Sequence, residues 1–161
     1  MVNMNMNMNM NMNMNMSMNI NICEAKIKNA AEISRLTTEL GYVADEAMSK
    51  EWLSYLLNSE NHHVLVVLSA SKNVVGWLVI EKRISLETGF KSEITGLIVG
   101  EKYRRLGLGQ KLVFAALNWA RNLGLKKVVV RSNIQREKSH DFYHSIGFSF
   151  KKTAHNYEAE L

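Results

Sequence analysis

Two glycines at the junction between an apolar run and an amphipathic helix constrain this chain more than any other feature. Arg104-Arg105-Leu106-Gly107-Leu108-Gly109 follows the strand-like segment that ends at Val99, and it opens a stretch with Leu112, Val113, Ala116, Leu117, Ala120 and Leu123 at helical spacing. That spacing predicts a helix over Gln110–Leu123, about four turns long. Gly107 and Gly109 carry no Cβ, so the backbone can take otherwise strained angles and come close to a bound group. The first N–H groups of a helix have no intrahelical partner and lie at the positive end of its dipole, so the junction offers donors to an anion. Arg104 and Arg105 add charge and forked hydrogen bonding.

Other glycine loops fit less well. A dinucleotide-binding fingerprint needs a third glycine where Leu112 stands and an acidic residue about twenty positions on, where the chain has Val128-Val129-Val130. A nucleoside-triphosphatase loop needs Lys and then Ser or Thr, and Gly109 is followed by Gln110. A plain turn before a surface helix is the remaining alternative.

The 161 residues suffice for one domain with its own core and are too few for two. Nine of the ten methionines lie in the first eighteen residues, where Met and Asn alternate. A two-letter repeat without branched or aromatic residues gives a strand little to pack, so residues 1–19 read as a disordered low-complexity tail and 20–161 as the domain. The tail has neither the basic flank nor the apolar run of a signal peptide, and no later segment is long enough to span a bilayer. The only cysteine, Cys23, has no internal disulfide partner, which fits a reducing, cytoplasmic setting. The net charge is +5, and its basic residues gather after Glu101, which suits a polyanionic ligand. A nucleotide cofactor and nucleic acid both satisfy the charge, but the basic half lacks an interleaved aromatic stacking surface, so nucleic acid ranks last.

Along the chain, Ile22–Ile27 reads as a strand, and Asn29 can cap a helix that Gly41 stops after Leu40. Asp45–Asn58 reads as a second helix. His63–Ser69 and Val74–Ile84 form a hairpin across Ala70-Ser71-Lys72-Asn73, and Ser92–Val99 is a further strand. After the glycine helix come a strand at Lys127–Arg131, a helix at Arg136–Ser145, and closing strands at Phe148–Lys151 and His155–Glu160. The order β-α-α-β-β-β-α-β-α-β-β implies an α+β domain: a mixed sheet flanked by helices.

Three segments in this order, Glu93-Ile94-Thr95-Gly96-Leu97-Ile98-Val99, the Arg-Gly-Gly loop, and Ser132-Asn133 leading through Arg136 and His140 to Phe142-Tyr143, resemble the Gcn5-related N-acetyltransferase (GNAT) superfamily. The resemblance covers roughly residues 20–161, with Ser139 where alanine is usual. It implies acetyl-CoA as co-substrate, its pyrophosphate held by main-chain N–H groups of Arg105, Leu106, Gly107, Leu108, Gly109 and Gln110 beside Arg104. It further implies that the pantetheine arm pairs with Leu97, Ile98 and Val99, and that Asn133 touches the same molecule, although an Asn opening a loop is also ordinary turn chemistry.

By the same resemblance Tyr143 gives a proton to the departing thiolate, and Glu93 takes one from the attacking amine, often through water. A phenol with a pKa near 10 stays protonated at neutral pH. The acceptor is a small-molecule amine or a protein amine, and a homodimer is open. A non-catalytic acyl-CoA-binding sensor on the same fold is the alternative function. His140 and His144 stand four apart on a helix face as zinc ligands do, but Asp141 replaces the usual glutamate and no third ligand follows, so no metal is expected.

Overall fold

The branched runs form one five-stranded sheet, ordered β1 (Asn21–Glu24), β2 (His62–Leu68), β3 (Val74–Ser85), β4 (Gly89–Val99) and β5 (Val128–Val130). The first four pair antiparallel, and β5 pairs parallel with β4, which makes the sheet mixed. The structure is a computed structural model that describes residues 19–161, so the Met/Asn repeat lies outside the described residues. Two compact units divide the chain, the first ending at Val130 and the second being Arg131–Leu161.

Val64, Leu65, Val66 and Val67 are all buried, at 5% exposure or less, and adjacent strand residues point to opposite faces, so both faces of the sheet must be covered. Helices α1 (Ala30–Glu39) and α2 (Glu46–Leu57) cover one, packing Leu36 and Leu53 with Val64, Val66, Val74 and Ile98. The glycine-led helix, α3 (Leu108–Asn122), covers the other, burying Leu112, Val113, Ala116 and Ala120 along one stripe. Trp119 of α3 stacks on His63 of β2 with ring centroids 5.6 Å apart. Burial in that stack pushes the His63 imidazole below its ordinary pKa, against a smaller opposite pull from Glu24. In the second unit the only helix among the described residues is α4 (Glu137–Ser145).

Local chemistry explains the element boundaries. Asp45 caps α2 by accepting the Met48 N–H at 2.8 Å, and Gly41, at φ +100°, lets the chain turn after α1. Asn29 occupies the cap position of α1, but its Oδ1 accepts the Lys26 N–H at 2.8 Å, closing the short 3₁₀ turn Ile27–Asn29. That turn ends β1 at Glu24, earlier than the expected Ile27.

The α+β mixed sheet is as expected, but the two closing strands do not form, and residues 148–161 carry no ladder. Their larger apolar side chains lack cover, with Phe150 69% and Tyr157 92% exposed, so pairing would gain too little burial to offset the ordering of the backbone. No helix among the described residues is long and apolar enough to cross a membrane.

Candidate active site

The glycine junction sits at the end of β4. After Val99 the chain makes a 3₁₀ turn, Glu101–Tyr103, and Arg104 folds back so that its Nε donates to the Val99 carbonyl at 3.0 Å. Two left-handed residues then turn the backbone, Arg105 at φ +61° and Gly107 at φ +74°. Glycine takes that conformation freely, whereas an arginine pays a steric penalty of about 1–2 kcal/mol, so the loop's shape is imposed by its surroundings. Leu108, 1% exposed, pins the start of α3 into the core. The backbone N–H groups of Arg105, Leu106, Gly107, Leu108, Gly109 and Gln110 make no hydrogen bond among the described residues. A Cβ on Gly107 would meet nothing within 4 Å, and the first turn of α3 carries no acidic side chain. Six consecutive unpartnered donors at a positive helix end, beside two arginines and with open space at Gly107, are an arrangement that can hold an anion.

The adjoining edge of β4 is open. β5 pairs with β4 only at Ser92, Glu93 and Ile94, so Leu97, Ile98 and Val99 have β3 on one side and no ladder on the other among the described residues. Val79 opposes Gly96 and Ile80 opposes Ile94, leaving Thr95 as the extra residue of a β-bulge. Gly96 is required there, because the Trp77 ring lies against its backbone. An extended chain bearing amides could pair with this edge as a further strand would.

Beside the bulge is a cavity of about 220 Å³ lined by Leu56, His62, Trp77, Val79, Glu81, Thr95 and Gly96. Its polar wall continues as a charged row across three strands. His62 opposes Glu81, and Glu81 opposes Glu93, so two carboxylates face each other directly across β3 and β4. Like charges so placed repel, and Arg83, next along the same face of β3, stands between them. Its Nε lies 3.2 Å from Glu81 Oε1 and its Nη1 2.5 Å from Glu93 Oε2. Glu81 Oε2 lies 3.2 Å from His62 Nε2, and His62 Nδ1 lies 2.7 Å from Ser59 Oγ.

Glu93 is therefore a buried carboxylate, 5% exposed and tied to Arg83, and it does not line the cavity. The carboxylate that does is Glu81, which sequence reasoning missed. Its signal was the alternation Trp77-x-Val79-x-Glu81-x-Arg83, which puts the four side chains on one face. A larger hollow of about 580 Å³ lies along the exposed side of α2, lined by Ala47, Lys50, Glu51, Ser54, Tyr55 and Asn58, and includes no sheet residue.

Asn133 and Tyr143 belong to the second unit. Asn133 Oδ1 accepts the Gln135 N–H at 2.9 Å, and its carbonyl oxygen accepts the Arg136 N–H at 2.9 Å and lies 3.0 Å from His140 Nε2. These bonds tie the start of α4 and occupy one ring nitrogen of His140. Tyr143 packs edge-on between Phe142 and Phe148, at centroid distances of 5.1 and 5.6 Å. Burial raises its phenol above the ordinary value of 10.0, opposed by the nearby charge of Arg136. The proton is thus firmly held at neutral pH.

A family model for the acetyltransferase (GNAT) family matches residues 30–148. N-alpha-acetyltransferase 30 of Schizosaccharomyces pombe is 24% identical over 112 residues, 70% of this chain and 74% of that protein. Glucosamine 6-phosphate N-acetyltransferase of Arabidopsis thaliana is 23% identical over 129 residues, 78% of this chain and 85% of the other. The crystal structure of an aminoglycoside antibiotic 6'-N-acetyltransferase from Acinetobacter baumannii superposes with a TM-score of 0.78 at 16% identity, over 88% of this chain and 99% of that one. The aminoglycoside N-acetyltransferase AAC(6')-Iy in complex with CoA gives 0.79 at 14% identity, covering 88% and 95%. At these identities the solved structures establish the fold.

Proposed function

The chain belongs to the GNAT acetyltransferase family, and we propose that it transfers acetyl from acetyl-CoA to a primary amine by direct attack, with no covalent enzyme intermediate. The observation that carries this is the run of six unpartnered N–H groups, Arg105 to Gln110, continuous with the unpaired edge of β4 at Leu97–Val99. The first suits a pyrophosphate and the second a linear diamide, and acetyl-CoA supplies both together with a thioester. Arg104, held on the Val99 carbonyl, fixes the corner between the two. Asn133 is a further contact to the same molecule.

The acceptor is proposed to be a small amine, because the cavity beside the bulge, about 220 Å³, admits an aminoalkyl head or one sugar ring. Relatives named for glucosamine 6-phosphate and aminoglycosides are consistent with that choice, and the one named for N-alpha-acetylation keeps a protein amine as a competing acceptor in the assay. Tyr143 is assigned protonation of the departing thiolate, a role its buried, protonated phenol suits. Glu93, bound by Arg83, is assigned a positioning role for that arginine in place of direct proton abstraction. The single cysteine, Cys23, takes no part, and a cytoplasmic setting suits both it and acetyl-CoA.

Gly109 has helical backbone, so Gly109→Trp fills the cradle without adding backbone strain, and Gly107→Trp fills it from the left-handed position. Both variants are expected to weaken acetyl-CoA binding at least about tenfold by calorimetry, since bulk replaces the anion's place on the N–H groups. Undiminished binding overturns the assignment. Thiol release that appears only when an amine is supplied separates an enzyme from an acyl-CoA sensor.

A further inference from the structure

The row Ser59, His62, Glu81 has no place in the acetyl-transfer scheme as drawn so far, yet two of its three members line the cavity. On that scheme, we infer that Glu81 takes the proton from the acceptor's ammonium group and that His62 and Ser59 carry it away from the cavity. The stoichiometry requires such an exit. An alkylammonium enters with three protons on nitrogen, and the amide leaves with one. As the nitrogen lone pair forms the C–N bond and the C–S pair departs on sulfur, one proton neutralises the thiolate. The other must reach solvent.

The geometry gives it a path. Glu81 is the carboxylate in the cavity wall, 22% exposed at the side chain, and its Oε2 lies 3.2 Å from His62 Nε2. The opposite ring nitrogen, Nδ1, lies 2.7 Å from Ser59 Oγ, at the end of α2 between the exposed Asn58 and Glu60. An imidazole engaged at both nitrogens can accept at one and release at the other. Arg83 on Glu81 Oε1, with Glu93 behind it, keeps that oxygen occupied and turns Oε2 toward the histidine. The charged and titratable groups that face Glu81 are thus His62 from β2, Arg83 from β3 and, across the ladder, Glu93 from β4. Trp77 also lines the cavity, so an ammonium there meets a carboxylate and an aromatic side chain. The ligand class is a primary alkylammonium.

The test uses the full chain, acetyl-CoA and three probes: ethylamine and its mono- and trifluorinated analogues, which differ widely in basicity and little in size. Thiol release is followed for wild type, Glu81→Gln and His62→Gln, with acetyl-CoA affinity and melting temperature measured alongside. Near neutral pH, Glu81→Gln is expected to lower kcat/KM for ethylamine by on the order of 100-fold, and His62→Gln by about tenfold, with acetyl-CoA binding kept. For trifluoroethylamine, already neutral in solution, the loss shrinks below about tenfold, and for ethylamine it shrinks about tenfold per unit rise in pH. A purely structural role would cost every amine the same factor at every pH, and that outcome, or no loss at all, overturns the relay. If wild type releases no thiol with any amine, the acetyl-transfer scheme itself is overturned.

Discussion

Gly96→Ala isolates the contact that shapes the cavity. A Cβ built on Gly96 lies 2.5 Å from Cζ3 and 2.8 Å from Cη2 of Trp77, distances that no packed methyl group holds. Gly96 lies outside the left-handed region, so its backbone accepts alanine and the whole penalty falls on the indole. Trp77 packs against the core formed by α1, α2 and the sheet, and cannot retreat that way without overpacking it. Overpacking costs about 1–3 kcal/mol, offset by about 0.4–1 kcal/mol from the stiffer unfolded chain, for a net loss of roughly 1–2 kcal/mol. In a chain of this size that lowers the melting temperature by roughly 2–8 °C. The ring's remaining freedom is toward the cavity it lines, so the acceptor KM should rise as well. Denaturant titrations of Gly96→Ala, Trp77→Phe and the double variant form the assay. Phenylalanine lacks the colliding second ring, and since Trp77 Nε1 has no partner among the described residues, the exchange removes no hydrogen bond. The double variant should recover about 1 kcal/mol or more relative to additivity. An unchanged melting temperature in Gly96→Ala, or additivity within about 0.5 kcal/mol, refutes the contact.

Tyr143→Phe is expected to lower kcat by about 10–100-fold with acetyl-CoA affinity kept within about twofold, measured by steady-state rates and calorimetry; unchanged kcat reduces the residue to packing. Burial raises its pKa above 10.0, so the folded state keeps a proton that the unfolded state releases. Stability is therefore full below pH 10 and falls as pH rises beyond it, and Tyr143→Phe should flatten that decline in urea titrations. His63 has the opposite sign: its pKa is depressed below 6.5, so stability is present above pH 6.5 and lost as pH falls through the lower folded value, where charging opposes burial beneath Trp119. His63→Phe keeps a ring in the stack and should remove this part of the acid-side slope; an unaltered slope assigns it to other groups.

The run of unpartnered N–H groups at the glycine junction was legible in the sequence because its chemistry is local. Gly107 and the start of α3 are neighbours in the chain, and their N–H groups need nothing distant to be left without partners. Arg105 was legible as a charge but not as a left-handed residue, since no side-chain preference signals φ +61° for arginine. The closing strands were overread for a related reason: aromatic residues near Phe150 and Tyr157 match strand composition, but pairing depends on burial that composition does not supply.

The cavity was the hardest part to read, because it depends on register. Glu81 and Glu93 are twelve positions apart in sequence and become opposite neighbours only after the bulge at Thr95 shifts β4 by one residue. Without that extra residue Glu81 would face residue 94, and the side chain of Glu93 would turn to the other face of the sheet. The bulge thus does two things with one inserted residue. It brings the Arg83-bridged carboxylates together on the cavity face, and it lies where pairing with β5 stops and the open edge at Leu97–Val99 begins. Glu93 stands out in the sequence because its strand motif is recognisable, yet register binds it to Arg83 and gives the cavity wall to Glu81. A strand motif points to a region of the sheet, and pairing across strands decides which of two similar carboxylates lines the cavity.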